Sequence, residues 1–541
     1  MLTDEMQLLE KTTKMRPLVL GVLGMSVLAR ICWYLYNPSL TEDEVALANN
    51  ILRYDIIDLC TRTLDEAQSA PVGYLFSVKV ITCVFGNSEF ALRLFAFVCS
   101  LLTLFFYYKL ATQILNPPGV LLAVFLFGLS APMIYHAAEV KQYSTEMLMS
   151  VLLLWLMVKY RYGITWKQAV VLSVAGAVCV LFSNPGIFLL SGAGIAVGLH
   201  LIGRREYKSM TGFVVVGSVW LVVFAVYYYF IIQNNKNVEV FRGMWQSEFL
   251  PIPTNIRWYA RMVLRVFSEP LGLSLDYRFL PVFNLTAKYL LFFSYAALLL
   301  LALGIRVFLK KDKYLFWIFF LPVCVTAVAS FMKLYPFHER FLLFLCPVFF
   351  LILSKSSEAV QLNIRLPVVK IAAALTIIFV VVNLVVKTLN PGLFGTVEKY
   401  SQMREAFQYI KDNHRADEPV CIMWDAEPFY IYYNHRQNLD WRVTYTKDPK
   451  GDNRVINAKT HEMETKKLLD QLFDKNERVW FVIQSGNHFF QMTDEPLVNL
   501  AKEDLQPIED FYVKVLEKDN RILKTYSGVQ AQVHLLERLD K

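Results

Sequence analysis

Apolar runs close to 20 residues long recur through the first 390 positions of the chain, each long enough to cross the hydrocarbon core of a bilayer as a helix. Eleven such runs fall at 17–36, 90–113, 118–135, 143–162, 166–184, 186–202, 208–232, 286–308, 314–331, 340–354 and 367–388. A further run, 71–85 (PVGYLFSVKVITCVF), is shorter, begins with Pro71 and contains Lys79. From Asn390 the pattern becomes polar, with helical and strand-like periods in alternation. Helices are predicted over 398–413 and 459–474, and strands over PVCIMWD (419–425), WRVTY (441–445), RVWFVIQ (478–484) and VQAQVHLLE (529–537). The pattern predicts a mainly α polytopic membrane domain over 1–389, with about 11 transmembrane helices, and a C-terminal α/β domain of three layers over 390–541.

Composition supports the membrane reading. Of 541 residues, 55% are hydrophobic and 18% charged, more apolar and less charged than soluble chains. The N-terminal stretch MLTDEMQLLEKTTKMR is polar and no small-residue cleavage site follows, so the first run is expected to stay as a span. The formal charge of +8 does not point to nucleic acid. Many cations lie in short loops, where they set orientation, and no zinc-finger spacing, basic helix or aromatic-basic motif is present.

The same cations fix a predicted topology. Lys11, Lys14 and Arg16 place the N-terminus in the cytoplasm. The loops KYRYG, GRREYK, RVFLKKDK and SKSSEAVQLNIR all fall on the cytoplasmic side if 71–85 does not cross, and all fall outside if it does. The run 71–85 is therefore read as a re-entrant or interfacial helix inside one long first outer loop, 37–89. The C-terminal domain is then extracytoplasmic, as is the loop 233–285.

Four segments with ionisable groups collect on the outer face. In TEDE (41–44), Thr41 and Glu44 have the spacing of a capping box, and acids in a first helical turn suit the helix dipole. Capping explains Glu42 and Glu44 without function and asks nothing of Asp43 beyond the dipole, so this stretch alone favours structure over catalysis. YHAAEVKQY (135–143) brings Glu139, Lys141 and His136 near membrane depth, where ionisable groups pair, act, or both. YPFHERF (335–341) opens a span with His338, Glu339 and Arg340, and an outer-face arginine runs against the orientation rule. NSEFALRLF holds Glu89 and Arg93 at i,i+4, a pair read as structural. A carboxylate base with cations for an anionic leaving group fits transfer of a sugar from a polyprenyl-phosphate carrier to a hydroxyl. The sugar carbon passes through an oxocarbenium-like state, as in glycoside hydrolysis.

Four stretches carry a family resemblance: TEDEVALANNI, SAPVGYLFSVKVITCVFGNSEFALRLFAF, SAPMIYHAAEVKQYSTEMLMSVLLL and HERFLLFLCPVFFLIL. In order and spacing the chain resembles the membrane glycosyltransferases of the C-type fold. It is most similar to the bacterial branch holding protein O-mannosyltransferase-like enzymes, the lipid A aminoarabinose transferase and the rhizobial galacturonosyltransferases. The resemblance covers roughly 15–390 and implies a hexosyl- or pentosyltransferase using a polyprenyl-phosphate-linked sugar, with a lipid, glycan or protein acceptor. It implies Asp43 as the catalytic carboxylate, Glu44 as its support, Glu139 as a second-loop acid, and Lys141, Arg340 and His338 as contacts to the donor phosphate. No cofactor is required by the pattern. Should a divalent metal take part, Asp43, Glu44 and Glu139 are the carboxylates to hold it. Lys141 stands where the family often has Arg. Gln68-Ser69-Ala70-Pro71 stands near the place of the aminoarabinose transferases' Glu-Lys-Pro, which counts against a lipid A substrate, and the second motif lacks the usual Gln before Ala-Glu, so the sugar stays open.

Two readings from other classes compete. A secondary transporter would show repeats and charges at the midplane; no repeat is visible and the charges gather at one face. An assembly or sensor protein would give the ionisable groups beside the membrane no role.

Overall fold

The computed structural model describes residues 2–233, 235, 237–251, 256–273, 286–362, 366–389, 401–447, 455–484, 489–491 and 505–539. They form two compact units. One draws on Met1–Tyr36, Tyr54–Gly86 and Phe90–Asn390, the other on Asn37–Arg53, Asn87–Glu89 and Pro391–Lys541.

The first unit is a multi-pass membrane domain. Among the described residues 7 helices are long and apolar enough to cross a bilayer, or 8 if Pro117–Leu129 and Ala131–Ala138, bent by 59° at their junction, count as one. The other three predicted runs are helical too. Tyr143–Lys159 and Trp166–Phe182 have 17 residues each, and Thr286–Lys311 has 26. Large apolar side chains such as Leu28, Val170, Leu199 and Leu221 point outward from these helices. In a soluble protein such a surface would be a liability; lipid solvates it at no cost.

Without a hydrophobic drive between helices, close approach at small residues holds such bundles together. A Cβ on Gly192 would lie 2.3 Å from Pro322 N, and one on Gly304 would lie 1.7 Å from Ile352 O. Both crossings admit glycine alone. The run 71–85 becomes the helix Val72–Phe85, starting after Pro71 and stopping at Gly86 with φ +80°. Its 14 residues give about 21 Å at 1.5 Å per residue, short of the roughly 30 Å hydrocarbon core.

The four basic loops meet at one end of this unit. Tyr314 donates to Arg161 O at 2.8 Å, and the His200 ring stacks on Tyr314 at 3.6 Å. Glu358 takes Lys311 at 3.0 Å and Lys355 at 2.8 Å, and Lys355 also donates to Ile114 O at 2.6 Å. A single carboxylate thus ties three connections together at that end.

The second unit is an α/β sandwich. Its strands are β1 (Val420–Ile422), β2 (Val443–Tyr445), β3 (Val455–Asn457), β4 (Arg478–Gln484), β5 (Phe489–Gln491), β6 (Leu505–Pro507), β7 (Asn520–Gly528) and β8 (Ala531–Arg538). They form a five-stranded sheet of order β2-β1-β4-β8-β7 and a three-stranded sheet β3-β5-β6. β1 is parallel to β2 and β4, whereas β8 is antiparallel to both β4 and β7. Central β4 is buried from Val479 to Gln484, as a strand covered on both faces must be. Phe481 and Ile483 face Leu469, Phe511 and Tyr512, and Trp480 on the opposite face meets Tyr409. The four predicted strands are β1, β2, β4 and β8. The predicted helices are Met403–Asn413 and Ala458–Phe473; residues 398–400 lie outside the described residues.

Candidate active site

In the second unit the segment after Tyr36 enters the helix Glu42–Arg53. Thr41 N–H donates to Glu44 Oε2 at 3.0 Å and Glu44 N–H to Thr41 Oγ1 at 3.4 Å. This reciprocal pair is the capping box expected from the spacing. It buries Glu44 at 2% exposure, leaves Glu42 at the surface and sets Asp43 half-buried between them. The three acids are thereby differentiated by position: one caps, one is solvated, and Asp43 is the acid of the turn that capping does not explain.

The other predicted groups belong to the first unit. The bent helix ends in a 3-10 turn, His136–Ala138, whose tight pitch brings residues three apart over one another. His136 Nδ1 meets Glu139 Oε2 at 2.5 Å, both side chains buried. Trp33 Nε1–H donates to Tyr135 O at 3.0 Å and Ser144 Oγ–H to His136 O at 2.6 Å, so the turn is pinned on two sides. Lys141, only 6% exposed, donates to Gln68 Oε1 at 2.6 Å. Gln68 is itself held, its backbone carbonyl accepting from Asn237 Nδ2 at 2.9 Å.

The segment 338–341 joins a cluster from the 237–268 region. His338 Nε2 lies 3.3 Å from both Glu248 Oε2 and Glu339 Oε1, and Glu248 also takes Arg265 at 3.0 Å. The Arg340 guanidinium stands over the Trp245 ring at 5.2 Å and the Phe341 ring at 5.8 Å, cation–π geometry that orients the head without neutralising it. His338 therefore sits between two carboxylates and Arg340 on an aromatic floor. Among the described residues no group of three or more His, Cys, Asp or Glu side chains is arranged to hold a metal ion.

Glu146 was not legible as a site residue from sequence. It lies 3% exposed in the helix Tyr143–Lys159. Burial pushes the Tyr335 phenol well above its ordinary range, and the charges of Glu146 and Tyr143 push it further. The available signal was a lone acid inside an apolar run, a costly placement that marks function by default. Gln68 gave no such signal, because its partner lies 73 residues on.

Residues 69–230 match the family of dolichyl-phosphate-mannose-protein mannosyltransferases. The structure is similar to that of ArnT from Cupriavidus metallidurans bound to undecaprenyl phosphate, with TM-score 0.52 and 11% identity over 96% of this chain and 97% of that one. The chain has the C-type glycosyltransferase fold. ArnT from the same organism in the apo state aligns at TM-score 0.51 and 11% identity, over 95% and 98% of the two chains. Archaeal AglB from Archaeoglobus fulgidus aligns more loosely, at TM-score 0.45 and 12% identity over 86% and 69%. No curated protein matches the sequence. In this C-type chain the matched family segment contains Lys141, the His136–Glu139 pair and Glu146.

Proposed function

We propose that the chain transfers a sugar from a polyprenyl-phosphate donor to a hydroxyl of an extracytoplasmic lipid, glycan or protein. The supporting observation is a fold shared over 96% of the chain with a protein whose structure holds undecaprenyl phosphate. Asp43 is the general base. It takes the proton of the acceptor hydroxyl as that oxygen bonds to the anomeric carbon, and the bond from that carbon to the phosphate oxygen breaks. The phosphate leaves with an added negative charge, which Lys141 and Arg340 stabilise, with His338 beside them. Glu44 holds the turn that presents Asp43, and Glu139 fixes His136. The loop 233–285 and the α/β domain, taken as 390–541, help choose the acceptor.

The basic loops supply the orientation. Arg161, Lys311 and Lys355 belong to one end of the membrane unit, and the positive-inside rule assigns that end to the cytoplasm. The C-terminal domain is then outside. With the eight native cysteines replaced, a cysteine placed within 203–208 should resist a membrane-impermeant thiol reagent in intact cells, and one near 410 should react. The reverse pattern would invert the assignment.

Mass spectrometry of glycolipids and glycoproteins from a strain lacking the gene tests the function itself. One acceptor class should lack a sugar and regain it on complementation. Intact glycans with altered solute uptake would reject the enzyme in favour of transport.

A further inference from the structure

We infer that the C-terminal α/β layer positions the Asp43 helix through a buried clamp on Glu89, which makes Glu89 a positioning residue for the transfer proposed above. The inference rests on that proposed reaction. It starts from the composition of the second unit, which includes Asn37–Arg53 and Asn87–Glu89 along with the C-terminal strands and helices.

Glu89 is fully buried and its carboxylate is surrounded by donors. Oε2 takes Arg404 Nη1 at 2.6 Å, Arg436 Nη1 at 3.0 Å and Asn37 Nδ2 at 3.2 Å, and Oε1 accepts from Tyr433 OH at 2.7 Å. A carboxylate removed from water is tolerated only with compensation of this kind. The electrostatics follow the geometry. Glu89 and Glu405 hold the Arg404 guanidinium above its ordinary range against the effect of burial, and Glu89 does the same for Arg436.

The clamp continues to the acid-bearing turn. The Tyr433 hydroxyl that donates to Glu89 accepts from Leu40 N–H at 3.3 Å, and Leu40 directly precedes the cap Thr41. Ser39 Oγ–H donates to Glu405 Oε2 at 2.5 Å, and Ser39 and Ser401 form an antiparallel bridge. Arg404 Nη1 also donates to Asn37 O at 3.1 Å. Further along the helix, Asn49 Nδ2 donates to Pro428 O at 2.9 Å. Val45, Leu47, Ala48 and Ile51 are wholly buried, and their helix packs against the helix Glu427–Gln437. Residues 37–49 are thus held at five points, all from residues 401–436. A capping box alone would fix the first turn of a helix; it would not fix where that turn lies.

The test uses the full-length protein in the deletion strain. Glu89→Gln keeps the shape and one acceptor oxygen but removes the charge that both arginines need. We expect transfer, read as the restored glycan, to fall at least about tenfold, the scale of a small misplacement of a reacting group. Binding of undecaprenyl phosphate by the purified variant should be unchanged, since Arg404, Arg436, Asn37 and Tyr433 are not among the proposed donor contacts. Hydrogen exchange at 42–53 should rise. The double substitution Ser39→Cys with Ser401→Cys, added to Glu89→Gln and oxidised, should restore both transfer and protection. Arg436→Gln, which loosens the clamp from its more exposed side, gives a milder version should Glu89→Gln fail to fold. Wild-type transfer in a folded variant whose 42–53 protection has fallen would overturn the inference, and so would lost transfer that the crosslink cannot restore. Failure of the underlying function reads differently: the unsubstituted protein would bind no lipid phosphate and the deletion strain would keep its glycans.

Discussion

Asp43→Asn should abolish sugar transfer while the protein inserts and folds as before. The expectation follows from how the turn divides its acids. Glu44 is consumed by the reciprocal cap with Thr41, and Glu42 faces solvent. Asparagine keeps the shape and most of the hydrogen bonding of aspartate and is itself tolerated at a helix start. What it removes is the lone basic oxygen. Loss of a general base lowers turnover by about 10²–10⁴-fold. The measurement is restoration of the missing glycan in the deletion strain, normalised to membrane protein level. Glu44→Gln is the informative companion. It weakens the cap, at a cost of about 0.5–2 kcal/mol in stability, and should lower the melting temperature more than the turnover. A folded Asp43→Asn protein with full activity would return the segment to helix capping alone.

The second large effect is at Lys141. Its ammonium is nearly buried and held by Gln68 Oε1 at 2.6 Å, which suits the phosphate contact proposed for it. A preorganised donor to a developing oxyanion contributes about 10²–10³ in rate. Lys141→Met should therefore lose about that factor and should also weaken binding of undecaprenyl phosphate. Lys141→Arg keeps the charge and should retain most of the binding, though the planar fork does not reproduce a point charge. Gln68→Leu removes the aim and keeps the ammonium, and should fall between the two. Should Lys141→Met bind lipid phosphate and transfer sugar normally, the phosphate role would pass to Arg340 and its neighbours.

Much of the architecture is written locally. An apolar run of 20 residues has one outcome in a bilayer, so all eleven predicted segments are helical. RVWFVIQ becomes β4 because its β-branched and aromatic residues suit a strand buried on both faces. EPFYIYYNHRQ shows the opposite case. Its aromatic run would suit a strand, yet it forms the helix Glu427–Gln437, with Pro428 in the first turn and Asn438 in the left-handed region at the end. Tertiary burial of Phe429, Tyr432 and Tyr433 outweighs local preference there. β7 was also missed, because an edge strand with alternately exposed charges resembles a polar loop.

The candidate site divides along the same line. The capping box and the His136–Glu139 pair are three residues apart and could be read directly. Glu89 could not. The sequence offers its i+4 neighbour Arg93 as a helical partner; it does not offer Arg404 and Arg436, which stand 315 and 347 residues away. No periodicity encodes a contact at that separation. The Glu248–His338 pairing escapes for the same reason.

The compact unit that contains Asp43 draws together residues 37–53 and strands as late as Ala531–Arg538. The ribosome makes residues 37–53 long before it makes Ala531–Arg538. The nascent chain therefore has its membrane helices well before it has a finished scaffold for the Asp43 turn, and a chain stalled halfway would carry Asp43 on an unsupported segment. The support of the turn proposed to carry the base is therefore completed late in biogenesis, after the membrane helices that precede it.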